Sequence, residues 1–238
     1  MIRTVWVAVV ALLATILCAT PIIIFGAFGK TNVPVIDRLV RLWARMILRA
    51  AGTEVRVVAD PGVDSKTRYV FIANHQSYLD IPALLVSVAQ PIRFMAKKTL
   101  FQVPVFGWGL KAAGFIPIDR KDRSKALASF RLAGERIRMG NSVVVFPEGG
   151  RSKTDQMQPF QRGAFLLAMR SDLDVVPVGI IGTREAMPAT RLIIRPGPVT
   201  IRVAAPIPVA DYPASRRDEL TERTREEIES LLRQSHNQ

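Results

Sequence analysis

A histidine and an aspartate stand five positions apart in the segment FIANHQSYLD, residues 71 to 80. His75 is one of only two histidines in the 238-residue sequence, and it follows directly after an apolar run. On a continuous helix these two side chains would point about 140° apart and could not pair. At a turn from a strand into a helix, with Pro82 in the first helical turn, Asp80 can fold back on His75. One ring nitrogen would then be held by the carboxylate and the other left free to accept a proton, which predicts a general base.

Candidates for a nucleophile supplied by the protein itself are weak. The sequence has no G-x-S-x-G motif, and its one cysteine, Cys18, lies in an apolar run. Ser77 is close to His75, but no second histidine or lysine stands beside it in the sequence. We therefore expect the substrate to bring the hydroxyl that His75 deprotonates, in a direct transfer without a covalent intermediate.

A second polar cluster, FPEGGRS, ends another apolar run at residues 146 to 152. Gly149 and Gly150 would let the backbone turn tightly and expose its amides, and Arg151 could hold a phosphate through two parallel N–H bonds. Glu148 could orient Arg151 or bond a substrate hydroxyl. Further cations follow other predicted strands: Arg120, Lys97 and Lys98. A turn with solvated arginines is the alternative, but several basic strand ends in one small domain favour an anion site.

The first 30 residues are apolar. Residues 5 to 28 carry no charge, and as one helix they would be about 36 Å long, enough to cross a hydrocarbon core of about 30 Å. Pro21 leaves open whether this segment crosses the bilayer with a kink or enters only one leaflet. A cleaved signal peptide is the alternative, but no convincing A-x-A site follows, so we expect a retained anchor.

A basic amphipathic helix is predicted next, over residues 33 to 52. Arg38, Arg41, Arg45 and Arg49 recur at spacings of three and four, which is typical of one helical face. A basic face directly after an apolar segment suits a bilayer interface. These arginines outnumber the one at position 3, so the positive-inside rule predicts that everything after residue 30 lies in the cytoplasm.

The overall charge indicates anionic partners. The chain has 33 basic and 20 acidic residues and a formal charge of +13. Aromatic residues make up only 7%, and the sequence has neither zinc-finger spacing nor an aromatic-rich basic strand. These features favour a membrane surface or phosphorylated substrates over nucleic acid.

From residue 53 onward, short apolar or β-branched runs alternate with helical patterns. This alternation predicts an α/β fold: a single domain with a mixed, largely parallel sheet flanked by helices, preceded by an N-terminal membrane-associated two-helix segment. The predicted organisation is an anchor and basic helix over 1–52 and a catalytic domain over 53–238. The runs on either side of RPGP, residues 195 to 198, predict an antiparallel pair of strands at the sheet edge.

Cofactor motifs are weak or missing. GWGLKA, residues 107 to 112, matches the loose dinucleotide pattern G-x-G-x-x-A but has no acidic residue at the required distance. The sequence has no P-loop, no H-E-x-x-H motif and too few ligands for a catalytic metal. We predict neither a metal nor a bound cofactor.

Taken together, these blocks resemble the glycerolipid acyltransferases, and among them the bacterial 1-acyl-sn-glycerol-3-phosphate acyltransferases. NHQSYLD is similar to the family's H-x₄-D motif, GFIPIDR to its second block, FPEGGRS to its E-G-T-R block and VVPVGI to its apolar fourth block. The resemblance covers about residues 54 to 205. Gly150 departs from the threonine that is usual there, and Pro117 from a common phenylalanine.

The resemblance implies the roles of individual residues. His75 would be the general base and Asp80 its partner. A glycerol phosphate would be held by four residues: Arg120, Glu148, Gly149 and Arg151. The fourth block, residues 176 to 180, would contact the acyl chain or the acceptor.

The implied reaction moves a fatty acyl group from acyl-CoA or acyl carrier protein to lysophosphatidic acid, giving phosphatidic acid in phospholipid biosynthesis. The implied location is the inner membrane, with the catalytic domain on its cytoplasmic face. Glycerol 3-phosphate or another lysolipid, such as a lyso-ornithine lipid, is an alternative acceptor. A membrane-anchored lipid hydrolase or a binding protein is the alternative from a different class.

Overall fold

Seven strands form one sheet in the part of the chain that this computed structural model describes, residues 2–30, 33–119 and 123–234. The strands are β1 Thr53–Ala59, β2 Val70–Ala73, β3 Ile92–Lys97, β4 Ile116–Ile118, β5 Ser142–Val145, β6 Val175–Ile181 and β7 Gly197–Val203. Their order across the sheet is β1-β7-β6-β2-β5-β3-β4. The five strands from β2 to β6 run parallel, β7 is antiparallel to β6, and β1 is parallel to β7. The predicted mixed, largely parallel sheet is confirmed.

Helices cover both faces of this sheet. They are α1 Ile2–Ala27, α2 Pro34–Ala51, α3 Asp80–Ser87, α4 Phe106–Ala112, α5 Arg123–Arg138, α6 Gly163–Ser171, α7 Thr183–Ala186 and α8 Arg217–Arg233. Successive strand residues point to opposite faces. Phe71 packs with the core beneath α1 to α4, whereas Ile72 packs with the core beneath α5, α6 and α8. The sheet therefore separates two apolar layers, and the carboxyl ends of its five parallel strands share one edge.

The predicted strand at residues 191–196 is wrong, because this segment is irregular. The Ile194 N–H donates to Oγ1 of Thr4 at 3.1 Å, and the Arg195 N–H donates to the Ala186 carbonyl at 2.8 Å. Both edges of β7 are already paired, one with β6 and the other with β1. The segment therefore cannot pair with β7 as predicted, and tertiary contacts override its local propensity.

Helix α1 continues through Pro21 and is long and apolar enough to cross a membrane. One of its faces packs on α2 and α4, and its remaining surface exposes apolar side chains: Ile2, Val5, Trp6, Val9, Leu12, Leu13, Ile16, Leu17 and Ile24. The contact with α4 is close. A Cβ added at Gly109 would lie 2.8 Å from Ala19, and one added at Gly26 would lie 2.7 Å from Ala112. The glycine pattern at residues 107–112 thus includes a helix-packing position.

The basic stripe of α2 is divided between two environments. Arg38, Arg45 and Arg49 are exposed, as predicted for an interfacial face. Arg41 instead turns toward the end of α3 and donates to three backbone carbonyls, at 2.8 to 3.0 Å. Burial lowers the pKa of the Arg41 guanidinium. One arginine of the stripe therefore joins α2 to the end of α3.

A buried ion pair also fastens α2 to the sheet. Arg93 of β3 is 1% exposed, and its Nη1 lies 2.7 Å from Oδ1 of Asp37. Removing one partner of such a pair leaves a buried charge uncompensated. Ile22 of α1 and Ile36 of α2 contribute to the same core layer as Phe71, so both helices pack on the sheet. A functional boundary at residue 52 stays a prediction.

Candidate active site

His75 and Asp80 are in direct contact at the carboxyl edge of the sheet. β2 ends at Ala73, the chain turns, and α3 begins at Asp80. The His75 Nδ1 lies 2.7 Å from the Asp80 Oδ2. Because an ionised carboxylate can only accept, Nδ1 carries the proton of this bond and Nε2 is left as an acceptor. The turn predicted between the strand and the helix does bring the two side chains together.

One oxygen of Asp80 organises the whole turn. Besides the imidazole, the Asp80 Oδ2 accepts the backbone N–H groups of Gln76 and Ser77, each at 2.8 Å. The side chain is fully buried, and its Oδ1 has no hydrogen-bond partner among the described residues. Asp80 stands in the first turn of α3, where the helix dipole favours a negative charge. The carboxylate is therefore fixed by the backbone before it acts on the imidazole.

The imidazole of His75 is held on its flat side by Phe146. The two rings are stacked with their centroids 4.0 Å apart and an interplanar angle of 13°. The stack continues through Phe94 to Phe115, with centroid distances of 5.8 and 6.1 Å. The side chain of His75 remains 13% exposed. The ring is thus positioned by packing and by Asp80, while its edge reaches solvent.

Glu148 connects the FPEGGRS loop to the histidine turn. Its Oε1 accepts the His75 N–H at 2.7 Å, and its Oε2 accepts the Gln158 N–H at 2.8 Å. Burial raises the pKa of the Glu148 carboxyl from 4.5 to about 7, although both backbone hydrogen bonds oppose this shift. Neither oxygen makes an ion pair with Arg151 within the described residues. Glu148 therefore holds backbone, and a contact between Glu148 and substrate stays a prediction.

Positions 149 and 150 of the loop differ in whether they need a glycine. Gly149 has a φ of +73°, and a Cβ added there would lie 2.2 Å from Nε2 of Gln161. Gly150 has no heavy atom within 4 Å of an added Cβ. Gly149 is therefore favoured by its backbone conformation, since the Gln161 side chain could move, whereas Gly150 faces open space that a larger side chain could enter.

Arg151 is stacked on the ring of Tyr78. Its Cζ lies 3.5 Å from the ring centroid, and its Nη1 is buried without a hydrogen-bond partner among the described residues. Lys97 and Lys98 are exposed at the end of β3, on the same edge of the sheet. Arg120, the other predicted phosphate ligand, lies outside the described residues. The loop and the histidine turn are joined once more by the Ser152 N–H, which donates to the His75 carbonyl at 2.7 Å.

Two polar residues of the NHQSYLD segment have positions that sequence reasoning missed. The buried Asn74 side chain exchanges two hydrogen bonds with the backbone of Ile180, at 2.7 and 3.0 Å. Ser77 donates through Oγ to the Met187 carbonyl at 2.8 Å. The sequence feature that could have identified Asn74 and Ser77 is their position in a polar block directly after a buried strand. The predicted fourth block, residues 176 to 180, lies in β6 and is anchored to the site through Asn74.

An apolar cavity lies on the α1 to α4 side of the sheet and encloses about 500 Å³, including its opening. All four helices contribute to its lining, which includes Cys18, Trp43, Leu85 and Phe106. Phe115 also lines it and ends the aromatic stack that begins at His75. Ile81, directly after Asp80, forms another part of the wall. The cavity is therefore connected to the His75/Asp80 pair through shared packing.

Curated proteins of similar sequence include plant and yeast enzymes. The chain is 38% identical over 144 residues to the chloroplastic 1-acyl-sn-glycerol-3-phosphate acyltransferase BAT2 of Brassica napus, covering 60% of this chain and 42% of that protein. It is 31% identical over 186 residues to the 1-acyl-sn-glycerol-3-phosphate acyltransferase of Saccharomyces cerevisiae, covering 77% of this chain and 61% of that protein. The chain thus spans about half the length of the curated relatives it matches.

A solved structure shares the fold. The 1-acyl-sn-glycerophosphate acyltransferase PlsC of Thermotoga maritima superposes with a TM-score of 0.73 over 96% of this chain and 97% of that chain. The two sequences are 23% identical. This likeness confirms the architecture of the sheet and its flanking helices.

The family model for the acyltransferases matches residues 54–181, which include both the NHQSYLD and the FPEGGRS segments. More than half of the chain lies within this match, and the resemblance inferred from the four blocks is confirmed. The chain belongs to the acyltransferase family.

Proposed function

We propose that the chain transfers a fatty acyl group from a thioester, carried by coenzyme A or acyl carrier protein, to the free hydroxyl of lysophosphatidic acid. The product is phosphatidic acid. The observation that carries the proposal is the 2.7 Å bond between His75 and the fully buried Asp80 at the exposed edge of the sheet. Membership of the acyltransferase family and the printed names of the relatives support the reaction and the acceptor.

The proposed step begins with the acceptor hydroxyl bonded to Nε2 of His75. The imidazole takes the hydroxyl proton as the oxygen attacks the thioester carbonyl carbon. Asp80 stabilises the imidazolium that forms. The carbon–sulfur bond then breaks, and the departing thiolate takes the proton from His75, which restores the neutral ring. No metal or other cofactor is required, because the thioester is already an activated acyl donor.

We place the acceptor phosphate at the loop that carries Arg151. The guanidinium has an unpartnered Nη1, and Tyr78 restricts its plane through the stacked contact. The positive φ of Gly149 gives the turn a shape in which backbone amides can face an anion. Arg120 and Gly150 complete the proposed phosphate site, and Glu148 supports it by fixing the loop to His75.

The apolar cavity is the proposed site of an acyl chain. Its lining is almost entirely apolar, and it lies beside the aromatic stack that supports the imidazole. The exposed apolar face of α1 and the exposed arginines of α2 support a location at the bilayer surface, where such chains reside. We further propose that the protein is located at the inner membrane, with its catalytic domain on the cytoplasmic face.

The first test is the reaction itself. Purified protein in detergent micelles is incubated with a labelled oleoyl thioester and lysophosphatidic acid, and with glycerol 3-phosphate as a second acceptor. We expect labelled phosphatidic acid from lysophosphatidic acid. His75→Ala should lower turnover by about 10² to 10⁴-fold, because the base is lost. Asp80→Asn can keep the oxygen that accepts the backbone N–H groups but removes the charge, and it should also lower turnover.

His236→Ala, which removes the other histidine, is the matched control and should retain activity. Circular dichroism checks that the variants remain folded. Free fatty acid as the only product would indicate a hydrolase, and no product with bound lipid would indicate a binder. Substantial turnover by the His75→Ala protein would contradict the assignment of the base.

Arg151→Ala should raise the KM for lysophosphatidic acid by about 10- to 100-fold, the scale of a hydrogen bond to a charged group. Tyr78→Leu should raise it by about three- to tenfold, because the stacked contact that positions Arg151 is lost. Tyr78→Phe keeps a ring under the guanidinium and should leave this KM unchanged. Steady-state kinetics with monoacylglycerol, which lacks the phosphate, provides the control. An equal effect of Arg151→Ala on both acceptors would rule out the phosphate site.

Glu148 predicts a pH dependence of stability. Since burial raises the pKa of its carboxyl from 4.5 to about 7, the folded state favours the protonated form. The favourable contribution is complete below about pH 4.5 and is lost as the pH rises through about 7, a change of about 3 kcal/mol at about 1.4 kcal/mol per pH unit. The free energy of unfolding of the native protein relative to Glu148→Gln, measured by urea titration, should therefore fall over this range. If the free energy of unfolding of the native protein relative to Glu148→Gln stayed constant or rose with pH, this prediction would be refuted.

A further inference from the structure

A basic groove lies between α5 and α6, on the face of the sheet opposite the apolar cavity. It encloses about 690 Å³, including its open mouth. Arg131 and Arg138 of α5 and Arg170 of α6 are exposed along it, and Glu135 is the one acidic residue of its lining. Within the described part of the chain, none of these three arginines forms an ion pair. With three exposed arginines and one glutamate in its lining, the groove carries an excess of positive charge.

A second, smaller cavity lies next to this groove, between the two helices and the carboxyl ends of the strands. Phe130 lines both spaces. Its ring lies against the backbone of Gly163, where an added Cβ would be 2.4 Å from the ring. The absence of a side chain at Gly163 thus provides the space that the Phe130 ring occupies. A single aromatic side chain stands between the basic groove and the inner cavity.

The inner cavity borders residues that lie next to the His75/Asp80 pair. Phe146 and Gly149 both line it. Phe146 is the residue that stacks on the imidazole of His75, and Gly149 is the turn residue of the proposed phosphate loop. The inner cavity thus borders the end of β5 and the loop next to His75, whereas the Phe146 ring itself packs in the core layer beneath α1 to α4. The apolar cavity approaches the His75 ring from the other side of the sheet.

We propose that the groove binds the phosphopantetheine arm of the acyl donor, a claim that rests on the acyl transfer proposed above. The arm is a linear chain with a phosphate at one end and the thioester at the other, and coenzyme A and acyl carrier protein share it. Arg131, Arg138 and Arg170 hold the phosphate. The chain passes Phe130, and the thioester carbon lies at the edge of the sheet beside His75.

The dimensions and chemistry of the groove agree with this occupant. Phe130 and Arg138 are eight residues apart on α5, which corresponds to about 12 Å along the helix axis. A phosphate bound by the arginines therefore lies at a distance from the reacting centre. A linear arm needs this separation, because its phosphate and its thioester are at opposite ends. The sheet separates the two ends of the donor, because the acyl chain occupies the apolar cavity on one face and the arm occupies the groove on the other.

The test compares two triple variants of the whole protein. Arg131→Ala/Arg138→Ala/Arg170→Ala removes the groove charges, and Arg56→Ala/Arg223→Ala/Arg233→Ala removes three exposed charges elsewhere. The donors are oleoyl-CoA, oleoyl acyl carrier protein and the N-acetylcysteamine thioester of oleate, which has no phosphate. The groove variant should lose about tenfold or more in kcat/KM with the first two donors. Its kcat/KM with the third donor and its KM for lysophosphatidic acid should be unchanged, and the control variant should match the native protein.

The proposal would be overturned by no loss with either phosphorylated donor, by an equal loss with the N-acetylcysteamine thioester, or by an equal loss in the control variant. A loss confined to coenzyme A would assign the arginines to its nucleotide phosphates, and a loss confined to the carrier protein would assign them to the carrier surface. Each of these would also overturn a site for the shared arm. Failure of the native protein to transfer oleate from any donor would instead refute the proposed function.

Discussion

The arrangement of the site depends on one buried carboxylate oxygen. The Asp80 Oδ2 accepts the imidazole Nδ1–H and two backbone N–H groups, so the same atom fixes the turn after β2 and orients the ring. An isolated carboxylate would be costly to bury. Here three hydrogen bonds and the N-terminus of α3 compensate the charge. The pair can thus persist in a fully buried place while the opposite edge of the imidazole reaches the surface.

The rest of the edge is tied to this atom through backbone contacts. Asn74 joins the end of β2 to β6, Glu148 joins the loop after β5 to the His75 N–H, and Ser152 bonds the His75 carbonyl. The turn after β2 is therefore bonded both to the strand β6 and to the loop after β5. The phosphate loop that we propose lies at this edge, the acyl cavity is connected to it through the aromatic stack, and the donor groove is separated from it by the inner cavity.

The sequence predicted those parts whose signal is local. The His75/Asp80 pair followed from residue types, spacing and the proline after them, and the alternation of apolar runs with helical patterns predicted the sheet. It did not predict what Glu148 contacts, because its partners are backbone N–H groups distant in sequence. Arg41 was assigned to the membrane face because the stripe is regular, but it donates to three carbonyls, one in α3 and two in the segment directly after it. Residues 191–196 have strand propensity, but both edges of β7, the strand they were predicted to pair with, are already occupied.

The central claim is that Asp80 keeps the proton on Nδ1 of His75 and leaves Nε2 free as the base. Only two histidines are present, so His236→Asn leaves His75 as the one histidine in the chain. Long-range ¹H–¹⁵N correlation spectra of this protein, labelled with ¹⁵N-histidine in micelles, report which ring nitrogen carries the proton. In the neutral ring we predict a protonated Nδ1 and an unprotonated Nε2. A neutral ring with the proton mainly on Nε2 would contradict the account.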